Sequence, residues 1–171
     1  MDSAPLVNRV AASSLVTINL EDYFPADEVL VFDLKDYLFR EMILREKDFR
    51  QALKAHNWST YADKHVVVTC SADAIVPVWA FMLVAAYATP VAKSVFQGTE
   101  TAFYEHFYRK TLAETDFSHC TDRPVVIKGC SNRPVPVAAY VALTQVLQSV
   151  ARSVMYGEPC STVPVWKRGR S

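Results

Sequence analysis

Residues 41–98 and 100–157 repeat one another, and no other feature constrains the fold as much. A shift of 59 positions lays Glu41, Glu46, Arg50, Leu53, Ser59, Asp63, Val66 and Val67 on Glu100, Glu105, Arg109, Leu112, Ser118, Asp122, Val125 and Val126. The register continues through Val76, Pro77 and Val78 on Val135, Pro136 and Val137, and closes with Gly98 on Gly157. Two copies of one unit are therefore expected, with residues 1–40 as an added N-terminal element and 158–171 as a tail.

Each copy reads the same way. A helix with apolar residues at helical spacing, such as Phe49 and Leu53, ends near Asn57 or Asp116. A β-branched run follows, Val66-Val67-Val68 or Val125-Val126-Ile127, continuous in apolar residues as strands covered on both faces are. A Cys-Ser loop leads to a second helix with Pro77 or Pro136 near its first turn, where the missing N–H costs nothing. A second strand, Ser94 to Gln97 or Ser153 to Tyr156, ends at a glycine, and Val29 to Leu34 adds a strand before the repeats. Alternating strands and helices at these lengths predict an α/β fold, a single three-layer domain with a mostly parallel sheet. At 171 residues the chain is sized for one core.

Eighteen basic and eighteen acidic residues leave no net charge, which argues against a nucleic-acid partner or an anionic membrane surface. The uncharged run from Ala74 to Ala92 is broken by Pro77 and Pro90, so it reads as a buried helix and not a membrane span. Within it, Val78 to Ala88 is apolar nearly all round, as in a core helix or a subunit interface, and a homodimer is expected. Met1 to Leu20 lacks the pattern of a signal peptide, so four cysteines in a cytoplasmic chain read as thiols, ligands or nucleophiles.

Three cysteines share a local pattern: Cys70-Ser71 before Val76-Pro77, Cys130-Ser131 before Val135-Pro136, and Cys160-Ser161 before Val163-Pro164. The first two follow predicted strands and precede helices, where free N–H groups and the helix dipole favour thiolate. Three converging thiolates could hold zinc or an iron–sulfur cluster, with Asp73 or Glu158 as a reserve ligand and Ser71 and Ser131 as caps or supporting donors. A nucleophilic or sulfur-carrying Cys70 is a second reading. A third is an interaction scaffold, in which the cysteines are merely small buried residues and the serines cap helices. Cys120 aligns with Tyr61 and belongs to no such loop, and none of His56, His65, His106 and His119 is repeated, which favours surface or loop positions for them. Arg50 and Arg109 read as structural ion pairs, Trp58 and Phe117 as core plugs.

The segments Ile43-Leu44-Arg45-Glu46-Lys47-Asp48-Phe49-Arg50, Cys70-Ser71-Ala72-Asp73-Ala74-Ile75-Val76-Pro77, Lys128-Gly129-Cys130-Ser131 and Gly157-Glu158-Pro159-Cys160-Ser161-Thr162-Val163-Pro164 resemble the signature of domain-of-unknown-function family 2480. The family's motif cysteines match Cys70, Cys130 and Cys160, and Cys120 lies outside the signature. The resemblance implies a bacterial cytosolic protein whose genes often lie beside iron–sulfur assembly genes of the sulfur-mobilisation type. Iron–sulfur assembly proteins are therefore the expected partners.

Overall fold

The computed structural model describes residues 14–129 and 131–169. In chain order the elements are β1 (Val16–Asn19), β2 (Val29–Asp33), β3 (Leu38–Phe39), β4 (Ile43–Leu44), α1 (Glu46–Ala55), β5 (His65–Thr69), α2 (Val78–Ala88), β6 (Ser94–Gln97), α3 (Glu100–Glu114), β7 (Pro124–Lys128), α4 (Val137–Gln148), β8 (Ser153–Glu158) and β9 (Ser161–Lys167). The mixed α/β class is as expected, with four α-helices and partly parallel sheets among the described residues.

The chain packs as two compact units, a continuous one over residues 25–104 and a split one joining residues up to 24 with those from 105 onward. In the continuous unit three parallel strands run in the order β2-β5-β6. Val66 and Val68 of β5 pack with Phe49 and Leu53 of α1 and Ala80 and Val84 of α2. Val67 is equally buried but belongs to the opposite face of the strand. His65, expected on the surface or in a loop, is instead buried at the start of β5, where its Nδ1 lies 2.7 Å from Ser94 Oγ. Burial holds its pKa below the usual histidine value.

In the split unit the order is β1-β7-β8-β9, parallel except for the last pair. Its core joins Tyr108 and Leu112 of α3, Ala139, Leu143 and Leu147 of α4, and Val125 and Ile127 of β7. The tail is thus not an appendage. Residues 161–167 form an edge strand that turns back on β8, and a register shift at Val154/Met155 accommodates it.

The N-terminal element divides between the units. β1 pairs with β7 and β2 with β5, in matching registers: Val16 lies against Val125 and Leu30 against Val66. Each strand ends in the same local device. Asn19 and Asp33 accept hydrogen bonds from the backbone N–H two residues on, at 3.2 and 2.9 Å, and start a 3₁₀ turn whose first residue, Leu20 or Leu34, is fully buried. No helix among the described residues is long and apolar enough to cross a membrane.

Candidate functional site

In the continuous unit Cys70 follows β5 directly and is half-buried against the core, its Sγ 3.7 Å from the Ala72 carbonyl to which it donates. The next amide, Ser71 N–H, donates to Asp33 Oδ1 at 3.0 Å. Asp33 ends the neighbouring strand β2 directly opposite Thr69. Its partial burial would raise its pKa, but bonds from Ser71 and Lys35 prevail and hold it below the usual value.

The split unit repeats this arrangement with a different acid. Glu21 Oε1 accepts from the backbone amides of Ser131 and Asn132, the latter at 2.9 Å, and its Oε2 accepts from Asn132 Nδ2 at 3.3 Å. The Asn132 backbone bond is the largest of the contributions that lower the Glu21 pKa. Arg133 from the same loop lies over the Phe24 ring, 5.0 Å from its centroid. Amides that could have stabilised a thiolate after each strand are therefore engaged by the chain's own carboxylates. Neither α2 nor α4 has a side-chain cap: Pro77 and Pro136 occupy the cap positions, while Ser71 reaches Asp33 through both its backbone N–H and its side chain and Ser131 N–H donates to Glu21.

The expected ligands fall into two groups. Cys70 and Asp73 share one loop of the continuous unit; Cys160 and Glu158 flank the β8–β9 turn of the split unit. Cys160 is exposed, and Glu158 lies 3.5 Å from Lys128 Nζ. Cys130 lies outside the described residues. Among the described residues no three of His, Cys, Asp and Glu come together as a metal-binding group. Cys120 is buried in the split core, and burial pushes its thiol pKa up. Arg50 forms the expected ion pair, 2.9 Å from Glu46, and Trp58 donates from its indole to the Leu53 carbonyl at 2.8 Å.

The sequence marks α2 as a core helix or an interface, but not the hairpin and loop that extend its apolar surface beside Cys70. Met42 and Ile43 at the β3–β4 hairpin line a groove of about 420 Å³ with Asp73, Ile75 and Pro77. Ile75 is 94 % exposed, and the apolar surface continues along α2 through Val78 at 74 % and Met82 at 66 %. The exposed row Val78, Met82, Ala86 contains no polar residue, whereas the corresponding row of α4 changes from Val137 and Val141 to Gln145 and Gln148. That difference was readable in the sequence as a helix without a polar face.

These features define a two-unit α/β protein whose strand-end loops are gripped by carboxylates and whose continuous unit carries an apolar face. The chain belongs to the family described as protein of unknown function DUF2480, whose profile matches residues 4–168. No curated protein and no solved structure matches it.

Proposed function

We propose that the protein is a non-catalytic accessory protein that acts as a homodimer, joined through the apolar face of the continuous unit. The observation that carries this reading is the apolar surface formed by Met42, Ile43, Ile75, Val78 and Met82, with Asp73 at its groove. All five are more than half exposed, which makes this a contiguous apolar patch of the kind that marks an interaction surface. A face made mostly of apolar side chains can pack against its own copy, as a two-fold interface requires. Light scattering of the purified chain tests this: wild type is expected at twice the monomer mass and Met82→Glu at the monomer mass. Monomeric wild type at micromolar concentration would refute it.

A second reading concerns the cysteines. Cys70, Cys130 and Cys160, with Asp73 or Glu158 in reserve, would hold zinc or an iron–sulfur cluster in cluster assembly. In its favour Cys160 stands exposed at a hairpin turn with Glu158 two residues before it. Elemental analysis of anaerobically purified wild type beside Cys70→Ser tests it: stoichiometric zinc or iron lost in the variant supports the ligand role, and metal-free folded protein opposes it. We read the two units as products of a tandem duplication, each a sheet between helices. Free thiols suit a cytoplasmic setting.

A further inference from the structure

The two units treat their basic residues differently. In the continuous unit Lys93 is paired with Asp27, and Lys64 with Glu28 at 2.7 Å. Both acids stand just before β2. The residues 59 positions on from these lysines are Arg152 and Arg123, so the basic character is kept in the split unit. The acids are not: by the register of β1 and β2, the positions of Asp27 and Glu28 correspond to Ser13 and Ser14. Arg123 is satisfied by main-chain carbonyls, its Nε donating to Ser14 O at 2.9 Å and its Nη1 to His119 O at 3.4 Å. Arg152 is exposed and pairs with no acid among the described residues.

β9, which has no counterpart in the continuous unit's sheet, adds to this charge. Lys167 lies across the ladder from Ser153, the residue after Arg152, and it too pairs with no acid among the described residues. Arg168 closes the end: its Nη1 is 2.5 Å from Asp122 and its Nη2 donates to Val150 O at 3.1 Å. Between them runs an open groove of about 960 Å³, with Arg152, Lys167 and Arg168 along it and Met155, Pro164 and Trp166 supplying apolar wall. Arg152 and Lys167, with no acid paired to either among the described residues, give the groove a positive potential.

We infer that this groove is a docking site for an acidic protein segment whose carboxylates alternate with apolar side chains. Charge complementarity selects the acid, since Asp122, the one carboxylate lining the groove among the described residues, is already engaged by Arg168. The apolar wall selects a polypeptide over nucleic acid, which would need a longer run of cations to hold its phosphates. The inference uses the correspondence between the units, set out above as a duplication, and is independent of the dimer face.

Fluorescence anisotropy with the full chain tests it. The probe is a labelled twelve-residue peptide repeating Glu-Glu-Leu, beside the same peptide with Lys for Glu and a labelled twelve-nucleotide single strand. Wild type is expected to bind the acidic peptide, more weakly as salt rises, and Arg152→Glu with Lys167→Glu to weaken it by at least about tenfold. Lys35→Glu, an exposed cation of the continuous unit, is expected to leave binding unchanged. Should the reversal variant not fold, Arg152→Gln with Lys167→Gln serves the same purpose. Absent binding, binding indifferent to the double variant, or tighter binding of the nucleotide strand would overturn the inference. Met82→Glu is expected to bind the peptide as wild type does, so failure of the dimer and failure of this site remain distinguishable.

Discussion

Leu20 and Leu34 occupy corresponding places, fourteen residues apart, yet the structure assigns them to different cores. Each is fully buried directly after its strand. Leu20 packs in the cluster that contains Tyr108, Leu112 and Leu143, and its carbonyl accepts the buried Tyr108 hydroxyl at 3.0 Å. Leu34 packs in the cluster that contains Phe49, Leu53 and Val84. Truncating either to alanine removes a fully buried isobutyl group's packing, which costs about 2–5 kcal/mol when the cavity does not collapse. For a unit of this size that is a fall in midpoint on the order of 10 °C or more. Hydrogen exchange resolved by peptide locates the loss. Leu20→Ala is expected to reduce protection in 105–112, 124–128 and 139–147 while 65–69 and 80–88 keep theirs, and Leu34→Ala to do the reverse. A cost below about 1 kcal/mol, or equal loss from 65–69 and 124–128 in Leu20→Ala, would refute the division of the N-terminal element between the two units.

Two further outcomes follow from the strand-end loops and the hairpin. The Glu21 carboxyl has a folded-state pKa below its ordinary 4.5, so its contribution is complete above that value and is lost as pH falls through the lowered one, where the unfolded chain takes up the proton first. Glu21→Gln should therefore lower the urea midpoint of the split unit at pH 6 and flatten its decline toward pH 3; an unchanged pH profile would count against the clamp. Gly157 has φ +121°, and a Cβ there would sit 2.6 Å from the Ser161 carbonyl oxygen. Gly157→Ala is accordingly expected to cost about 1–3 kcal/mol and to raise exchange in 161–167, whereas wild-type stability would show that the hairpin does not need this conformation.

Much of this architecture was legible because its signals are local. The valine runs of β5 and β7, the prolines before α2 and α4 and the glycines after β6 and within β8 all mark elements within a few residues. β1 is not evident in the sequence, because parallel pairing of Val16 with Val125 leaves no trace near either residue. β9 lies beyond the last repeated residue, so the repeat gives no sign of it, and its Pro164 is tolerated at the sheet's edge beside a register shift. The Cys-Ser loops illustrate the limit most clearly. Their position after strands suggested amides open to a thiolate, but Asp33 and Glu21, 38 and 110 residues before Ser71 and Ser131, take those amides. A carboxylate that distant in sequence cannot be assigned to a loop by spacing.

The apolar face of the continuous unit is the central functional claim, and hydrogen exchange of wild type at two protein concentrations tests it most directly. The account predicts that peptides covering 40–44 and 73–86 gain protection as concentration rises, while 137–145 on α4 does not. Protection in 73–86 that is independent of concentration, or a rise confined to α4, would contradict it.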